Sequence, residues 1–245
     1  MTSLKPYIFF IAFLASTFPA IAQDYNNIEF IENKGQWDSH VKFKGEVNAG
    51  AVFVRSTGFT ILQHNQQDYA ALQSMMHGHN NQRPPGTIIS AKSDGRFVLQ
   101  SHSYNIDFVG ASPTMQVIPD KIIPAYNNYF LGNDPSQWAS GCRIYQALTL
   151  KDVYPNIDVR YYTYNGMLKY DIIARPGADI SKIALKYDGA DKLQVKNKEL
   201  VISTSVGELK ESYPYTYQSN GKERTEVNCK YKIKGNIVSF DVKGY

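Results

Sequence analysis

From residue 41 to the end of the chain, apolar and polar residues alternate with period two over most of the sequence. VKFKGEV (41–47) sends Val41, Phe43 and Val47 toward one side and Lys42, Lys44 and Glu46 toward the other, the pattern of a half-buried strand. Residues 51–55 and 59–63 read as the arms of a hairpin around Ser56-Thr57-Gly58. In SYNIDFVG (103–110), Tyr104, Ile106 and Phe108 share a face against Asn105 and Asp107. VRYYTY and MLKYDIIA flank Asn165-Gly166, and Asn-Gly between two alternating runs is a strong hairpin signal that fits a type I′ turn. From residue 175 onward, short alternating runs are separated by Gly, Asn or Asp, as in a β-meander. The pattern predicts an all-β, antiparallel, sandwich-like architecture.

One region departs from this period. DYAALQSMM (68–76) spaces its apolar residues for a short helix, and HGHNNQRPPG after it is poor in apolar residues and rich in turn formers. The stretch 64–95 therefore reads as a surface excursion carrying the single helix. His77 and His79 within it lack a third nearby ligand, and a catalytic zinc takes three protein ligands, so no metal site is assigned. Pro113, Pro119 and Pro124 then divide the approach to residue 125 into short extended pieces, because proline removes a ladder donor.

The N-terminus is different again. MTSLKPYIFFIAFLASTFPAIAQ has one lysine, an apolar run from Tyr7 to Phe18, and small residues at Ala20 and Ala22, the three-part pattern of a secretory signal peptide. Cleavage after Ala22 would leave one β-rich domain over 23–245, or two packed sub-domains split near residue 125. Spanning a bilayer takes about 20 apolar residues, and Pro19 interrupts the run. The expected location is exported: periplasmic, extracellular or attached to the cell surface, with no membrane span once the signal is removed.

Composition adds exclusions. Removing residues 1–22 takes away Lys5 and no acid, so 26 basic residues against 22 acidic become 25 against 22. The basic residues are interleaved with acids rather than gathered into a stripe, which argues against a nucleic-acid partner. Cys142 and Cys229 are the two cysteines. In an oxidising compartment they are a candidate disulfide, although two buried unpaired thiols on separate strands also fit the pattern. No Gly-x-Ser-x-Gly elbow, phosphate loop or dinucleotide fingerprint occurs, and no cofactor is implied.

The stretch 125–171 is the densest in aromatics and turn residues. Trp37, Trp138, Tyr161, Tyr162 and Tyr164 are the candidate ligand-binding residues, since aromatic faces with a polar edge suit a sugar as well as a core. Asp134, Asp152, Asp158 and Asp171 are the acids that a glycosidase would need to bring together in a pair. Each neighbours a turn or strand end, where Asp is common for backbone reasons, so no catalytic residue is assigned.

Several segments together resemble a known domain: FIENKGQWD (30–38), NNYFLGNDPSQW (127–138), VYPNIDVRYY (153–162), LKYDIIARPGADISKIALKYDGADKL (168–193) and GELKESYPYTYQ (207–218). They are similar to the N-terminal domain of unknown function of large bacterial cell-surface proteins. There the domain precedes SBBP β-propeller-type repeats, immunoglobulin-like modules and a gliding-motility-associated, type IX secretion sorting domain. Lys169 departs from that pattern, which often has an acid before Tyr-Asp. Relatives continue into repeats beyond the position of Tyr245, so the chain is either a fragment of such a protein or a free-standing exported copy. The resemblance implies a non-enzymatic module for adhesion, assembly or presentation of other domains, with other surface proteins or extracellular glycans as partners. A carbohydrate-binding module and a glycoside-hydrolase-like enzyme are the alternatives.

Overall fold

The computed structural model describes residues 7–14, 28–77, 97–164 and 166–243, with the backbone path alone for 7–14 and 77. Its strands are β1 (Tyr7–Leu14), β2 (Phe30–Glu32), β3 (Val41–Val47), β4 (Gly50–Arg55), β5 (Gly58–His64), β6 (Ser101–Phe108), β7 (Gln116–Tyr129), β8 (Ala139–Tyr154) and β9 (Ile157–Tyr164). They continue as β10 (Met167–Ala174), β11 (Ala184–Asp188), β12 (Lys192–Lys196), β13 (Glu199–Thr204), β14 (Gly207–Glu211), β15 (Tyr215–Ser219), β16 (Arg224–Lys234) and β17 (Ile237–Lys243). One α-helix, α1 (Gln66–His77), interrupts them. The all-β, antiparallel architecture with one short helix is therefore the one the alternation predicted.

Helix α1 starts two residues earlier than its apolar spacing indicated. Asn65 caps it, accepting from the N–H groups of Gln67 and Asp68 at 3.0 and 3.1 Å, the role short polar side chains fill at a helix start. The rest of the predicted excursion, including His79, lies outside the described residues.

Strands β2 to β6 form a meander in chain order. Strand β6 then pairs with β11, β11 with β17, β17 with β16, and β16 with β15. Strand β1 lies between β15 and β10, antiparallel to both. Strands β10, β9 and β8 follow as successive hairpins, and β8 meets β2 through Phe30 opposite Tyr145 and Ile31 opposite Ile144. The pairings thus close a circuit, and the sheet folds over on itself. Strands β12, β13 and β14 make a side meander that touches the circuit where β14 pairs with the end of β1. Among the described residues, strand β7 pairs with β8 alone.

The folded-over sheet encloses one main core running from Ile28 to Val238 in sequence. Rings from the β3–β6 side meet rings from β8–β10 edge-on: Phe43 with Tyr145 at 5.8 Å, Phe59 with Tyr161 at 5.3 Å, and Phe108 with Tyr154 at 6.4 Å. Such pairs add about 0.5–1.5 kcal/mol each beyond their buried area. A smaller cluster of Ile31, Ala139, Cys142 and Ile144 lies where β2 and β8 meet, and Trp37, Ile123 and Tyr129 pack on it.

The prolines correct one expectation. Pro119 and Pro124 do not break the chain into pieces but sit inside the 14-residue β7. An edge strand tolerates proline because half of its N–H groups need no ladder partner. The register also shifts between Ile123 and Tyr126 and between Asn127 and Tyr129, so bulges absorb the remaining misfit.

Candidate functional site

Strands β7 and β8 extend as one long hairpin arm, joined by a turn at residues 130–138. Asp134 accepts from the Ser136 N–H at 3.0 Å and caps a single 3-10 turn, Pro135–Gln137. No residue of β7 is buried, yet Ile118, Ile122 and Tyr126 on it, and Phe130, Leu131 and Trp138 at its end, are large apolar residues left exposed. Soluble surfaces seldom keep such a row without a use for it. The prolines and bulges block strand-to-strand pairing along this edge, so the side chains rather than the ladder are what the arm offers.

Trp138 is 41% exposed. Its indole N–H points at the carbonyls of Leu131 and Gly132, 3.2 and 3.3 Å away, and its ring stands edge-on to Phe130 at 6.0 Å. Trp37 is half-buried, edge-on to Tyr129 at 5.3 Å, with the Lys44 ammonium 5.7 Å from its ring. Both tryptophans therefore belong to the end of the arm, although they are a hundred residues apart in sequence.

The three tyrosines of the candidate set are not one surface. Successive strand residues point to opposite faces, so Tyr161 enters the core with no exposed area and cannot touch a ligand. Tyr162 and Tyr164 lie on the outer face. Tyr164 is exposed with Lys169 over its ring at 4.2 Å, and the Tyr162 hydroxyl donates to Asp171 at 3.1 Å.

That outer face carries an ordered polar row. Arg160 donates to Asp120 on β7 at 2.7 Å and to Thr149 at 3.4 Å, and it lies opposite Asp171 in the β9–β10 register. Burial pushes the Asp171 carboxyl up to about 7, against the opposing pull of Tyr162, Arg160 and Lys169. Tyr162 is raised by burial and by the Asp171 charge.

A second network closes the β8–β9 turn. Asp158 is buried, yet it accepts from Lys151 at 2.7 Å, from the Asp152 N–H at 2.8 Å, and from Arg175. Burial alone would raise its carboxyl, but these donors outweigh it and hold the group below the usual carboxylate range. Asp152 adopts φ 53° at the bulge that makes this possible, and Arg175 also donates to it at 2.8 Å. Asp158→Asn should cost about 3 kcal/mol, because it leaves Lys151 and Arg175 without their shared counter-charge. Urea unfolding of the variant at pH 7 checks this, and a loss under about 1 kcal/mol would contradict the network's role.

The four nominated acids thus have backbone, ion-pair or hydrogen-bond duties, with Asp152 and Asp158 sharing Arg175. Neither principal cleft is lined by two carboxylates. The larger, about 540 Å³, is bordered by Val195, Lys198, Tyr213, Glu226 and Cys229 among others. Burial pushes the Cys229 thiol up to about 11, which makes it a poor nucleophile. Cys142 and Cys229 are both buried and free, the first in the small cluster and the second in the main core. The candidate disulfide is not formed because the two thiols sit in different hydrophobic clusters. Among the described residues, no group of three His, Cys, Asp or Glu side chains is placed to hold a metal, and no helix is long and apolar enough to cross a membrane.

Glu211 is the residue that the sequence reading passed over. It ends β14 with no exposed area and accepts from the hydroxyls of Tyr187 at 2.6 Å and Tyr170 at 3.0 Å. Burial pushes its carboxyl up to about 7, with Tyr187, Tyr170 and Tyr231 pulling the other way. The hydroxyls of Tyr104 and Tyr161 are buried without a hydrogen-bond partner among the described residues, and both are raised first by burial and then by Glu211. The available signal was phase: Leu209 and Glu211 occupy the same side of an alternating strand, so an acid stands where the pattern asks for an apolar residue.

A family model described as a domain of unknown function, DUF7948, matches residues 30–245. The chain belongs to this family. No curated protein and no solved structure matches it. The match takes in both ends of the β7–β8 arm, the Asp158 network and Glu211, and it begins at the first residue of β2, leaving β1 outside the DUF7948 domain.

Proposed function

We propose that this DUF7948 domain is a non-enzymatic, exported β module that docks onto other surface proteins, in adhesion, assembly or the presentation of neighbouring domains. The observation that carries the reading is the row of exposed apolar side chains along β7 and its tip, on an edge that cannot extend the sheet. The signal-like N-terminus supports export, and the similarity to the N-terminal domain of SBBP-repeat surface proteins supports a place beside other modules. The acids are committed to structural partners, which favours binding over catalysis. Glycan binding is the second reading and rests on Trp138, whose exposed ring is held by its own indole N–H bonds.

The test is a triple variant, Ile122→Ser, Tyr126→Ser and Leu131→Ser, displayed on its producing cells. Its melting temperature should stay within about 2 °C of the parent, since exposed sites contribute little to stability, while retention at the cell surface falls at least tenfold. Unchanged retention would count against the docking row. Release of the parent by soluble oligosaccharides would favour the glycan reading, and specific glycoside turnover lost in Asp171→Asn would replace both with an enzyme.

A further inference from the structure

Strand β1 is placed where a strand is needed and where the mature chain would not supply one. It runs antiparallel to β10 over six residues, Tyr7 opposite Ala174 through Ala12 opposite Lys169, and to β15 over four, Tyr7 opposite Gln218 through Phe10 opposite Tyr215. No bulge interrupts either pairing. Among the described residues, strands β10 and β15 do not pair with each other, and with one strand between them they stand about 9.5 Å apart, far beyond hydrogen-bond reach. The core positions Ala174, Ile172 and Tyr170 on β10 are buried, and the register sets Tyr7, Phe9 and Ile11 directly opposite them. Yet the eight residues YIFFIAFL lie within the apolar run of the signal-like segment, and the family domain begins only at residue 30.

Resting on the export reading, we propose that removal of this segment opens a strand slot between β10 and β15, which takes an extended apolar segment supplied by another polypeptide. The chain's own new N-terminus is a poor substitute. Ile28 is tied by its N–H to Thr163 at 2.9 Å, and only the polar residues QDYNN remain before it, too few and too polar to replace an eight-residue apolar strand. The contrast with β7 is informative. That edge is guarded by two prolines and two register shifts, whereas the facing edges of β10 and β15 carry neither prolines nor bulges. Unguarded edges are the ones that accept another strand. A slot flanked on both sides offers ladder hydrogen bonds to both edges of an incoming segment, and alternate side chains set the specificity. The segment that fits is about eight residues long, uncharged and free of proline, with apolar residues at every second position to face Ala174, Ile172 and Tyr170.

The chain is expressed with its own leader in a secreting bacterial host, and the exported product is read by intact mass. Amide exchange is then followed at those amides of residues 169–174 and 215–218 that face the slot, because the alternate ones stay bonded to β9 and β16. The probe is a synthetic peptide of the Tyr7–Leu14 sequence flanked by lysine pairs; its control carries Phe9→Pro and Ile11→Pro. Expected is a product starting at Gln23 whose amides at these positions exchange fast, and slow about 100-fold or more with the probe but not with the control. Slow exchange without any peptide, meaning that the slot has closed on itself or been filled in cis, overturns the inference, and so does an intact probe without effect. If the product is too unstable to hold in solution, recovery of folded protein on adding the probe supports the slot, and no recovery overturns it. A product that retains Met1 and shows slow exchange refutes the export reading instead, and the mass distinguishes that failure from the others.

Discussion

Glu211→Ala is expected to lower the unfolding free energy of the chain by about 3–5 kcal/mol, the range for a deletion that both opens a cavity and strands buried partners. The carboxyl has no exposed area, so water does not replace it, and the Tyr170 and Tyr187 hydroxyls that donate to it lose their acceptor. Glu211→Gln is expected to behave differently, because the amide keeps the volume and an acceptor oxygen while removing the charge. The difference between the two variants is set by pH. The Glu211 carboxyl is raised from 4.5 to about 7 by burial, so between those values the folded protein holds a proton that the unfolded chain has released. The stabilisation is complete below about pH 4.5 and is lost as the pH rises through about 7. At 1.36 kcal/mol per pH unit, this amounts to about 3 kcal/mol.

Asp171, raised from 3.8 to about 7, acts in the same direction, and Asp158 acts oppositely, losing its contribution only as the pH falls below the ordinary carboxylate value. Stability should therefore peak near pH 4–5 and decline toward pH 8. Glu211→Gln should match the parent at pH 4.5 and exceed it at pH 8, with part of the decline left to Asp171. Urea unfolding across pH 4.5–8 measures this directly. A parent whose stability is flat or rising over that window, or a Gln variant as weak as Ala at pH 8, would show that Glu211 is not held protonated in the core.

Gly58→Ala is the second large effect expected, a loss of about 3 kcal/mol or more, at the severe end of single substitutions. A Cβ at Gly58 would stand 2.0 Å from the Ile106 carbonyl oxygen and 3.0 Å from the Asp107 Cα. Both are backbone atoms of β6, so no side-chain rotation relieves the clash. The strands would have to part along the ladder from Gly58–Asp107 to His64–Ser101, beside the Phe108 N–H bond to Thr57. Gly132→Ala is the control. At φ 74° with nothing within 4 Å of the added carbon, it carries only the left-handed backbone cost of about 1–2 kcal/mol. Melting both variants compares them, and equal losses would mean that β5 and β6 are not this close in solution.

Much of this fold was legible before any tertiary structure, because period-two alternation is a local property. The hairpin at Ser56-Thr57-Gly58 and the one joining Tyr164 to Met167 stand where turn chemistry put them, whereas the late meander split in two, β12–β14 and β15–β17, with β11 set apart between β6 and β17. The helix was recognised by its spacing, but its start was set by a side-chain cap two residues earlier. The prolines of β7 misled for a physical reason: their cost depends on whether a partner strand lies on that side, which sequence does not state. The aromatic stretch at 125–171 was correctly seen as dense but wrongly pooled, since Tyr161 and Tyr162 differ by one residue and by the whole thickness of the sheet.

What the sequence by itself determined is the all-β character of the chain, the faces of strands such as β3 and β6 and the apolar character of the first one, all of which follow from neighbours a few residues apart. Only the tertiary structure decided that Glu211 meets Tyr170 and Tyr187, that Asp158 serves Lys151 and Arg175 at once, that the cysteines sit in separate clusters, and that β1 lies between β10 and β15. Those outcomes depend on which strands become neighbours across long stretches of chain, and pairing at that distance is selected by the closing of the whole core rather than by any local pattern.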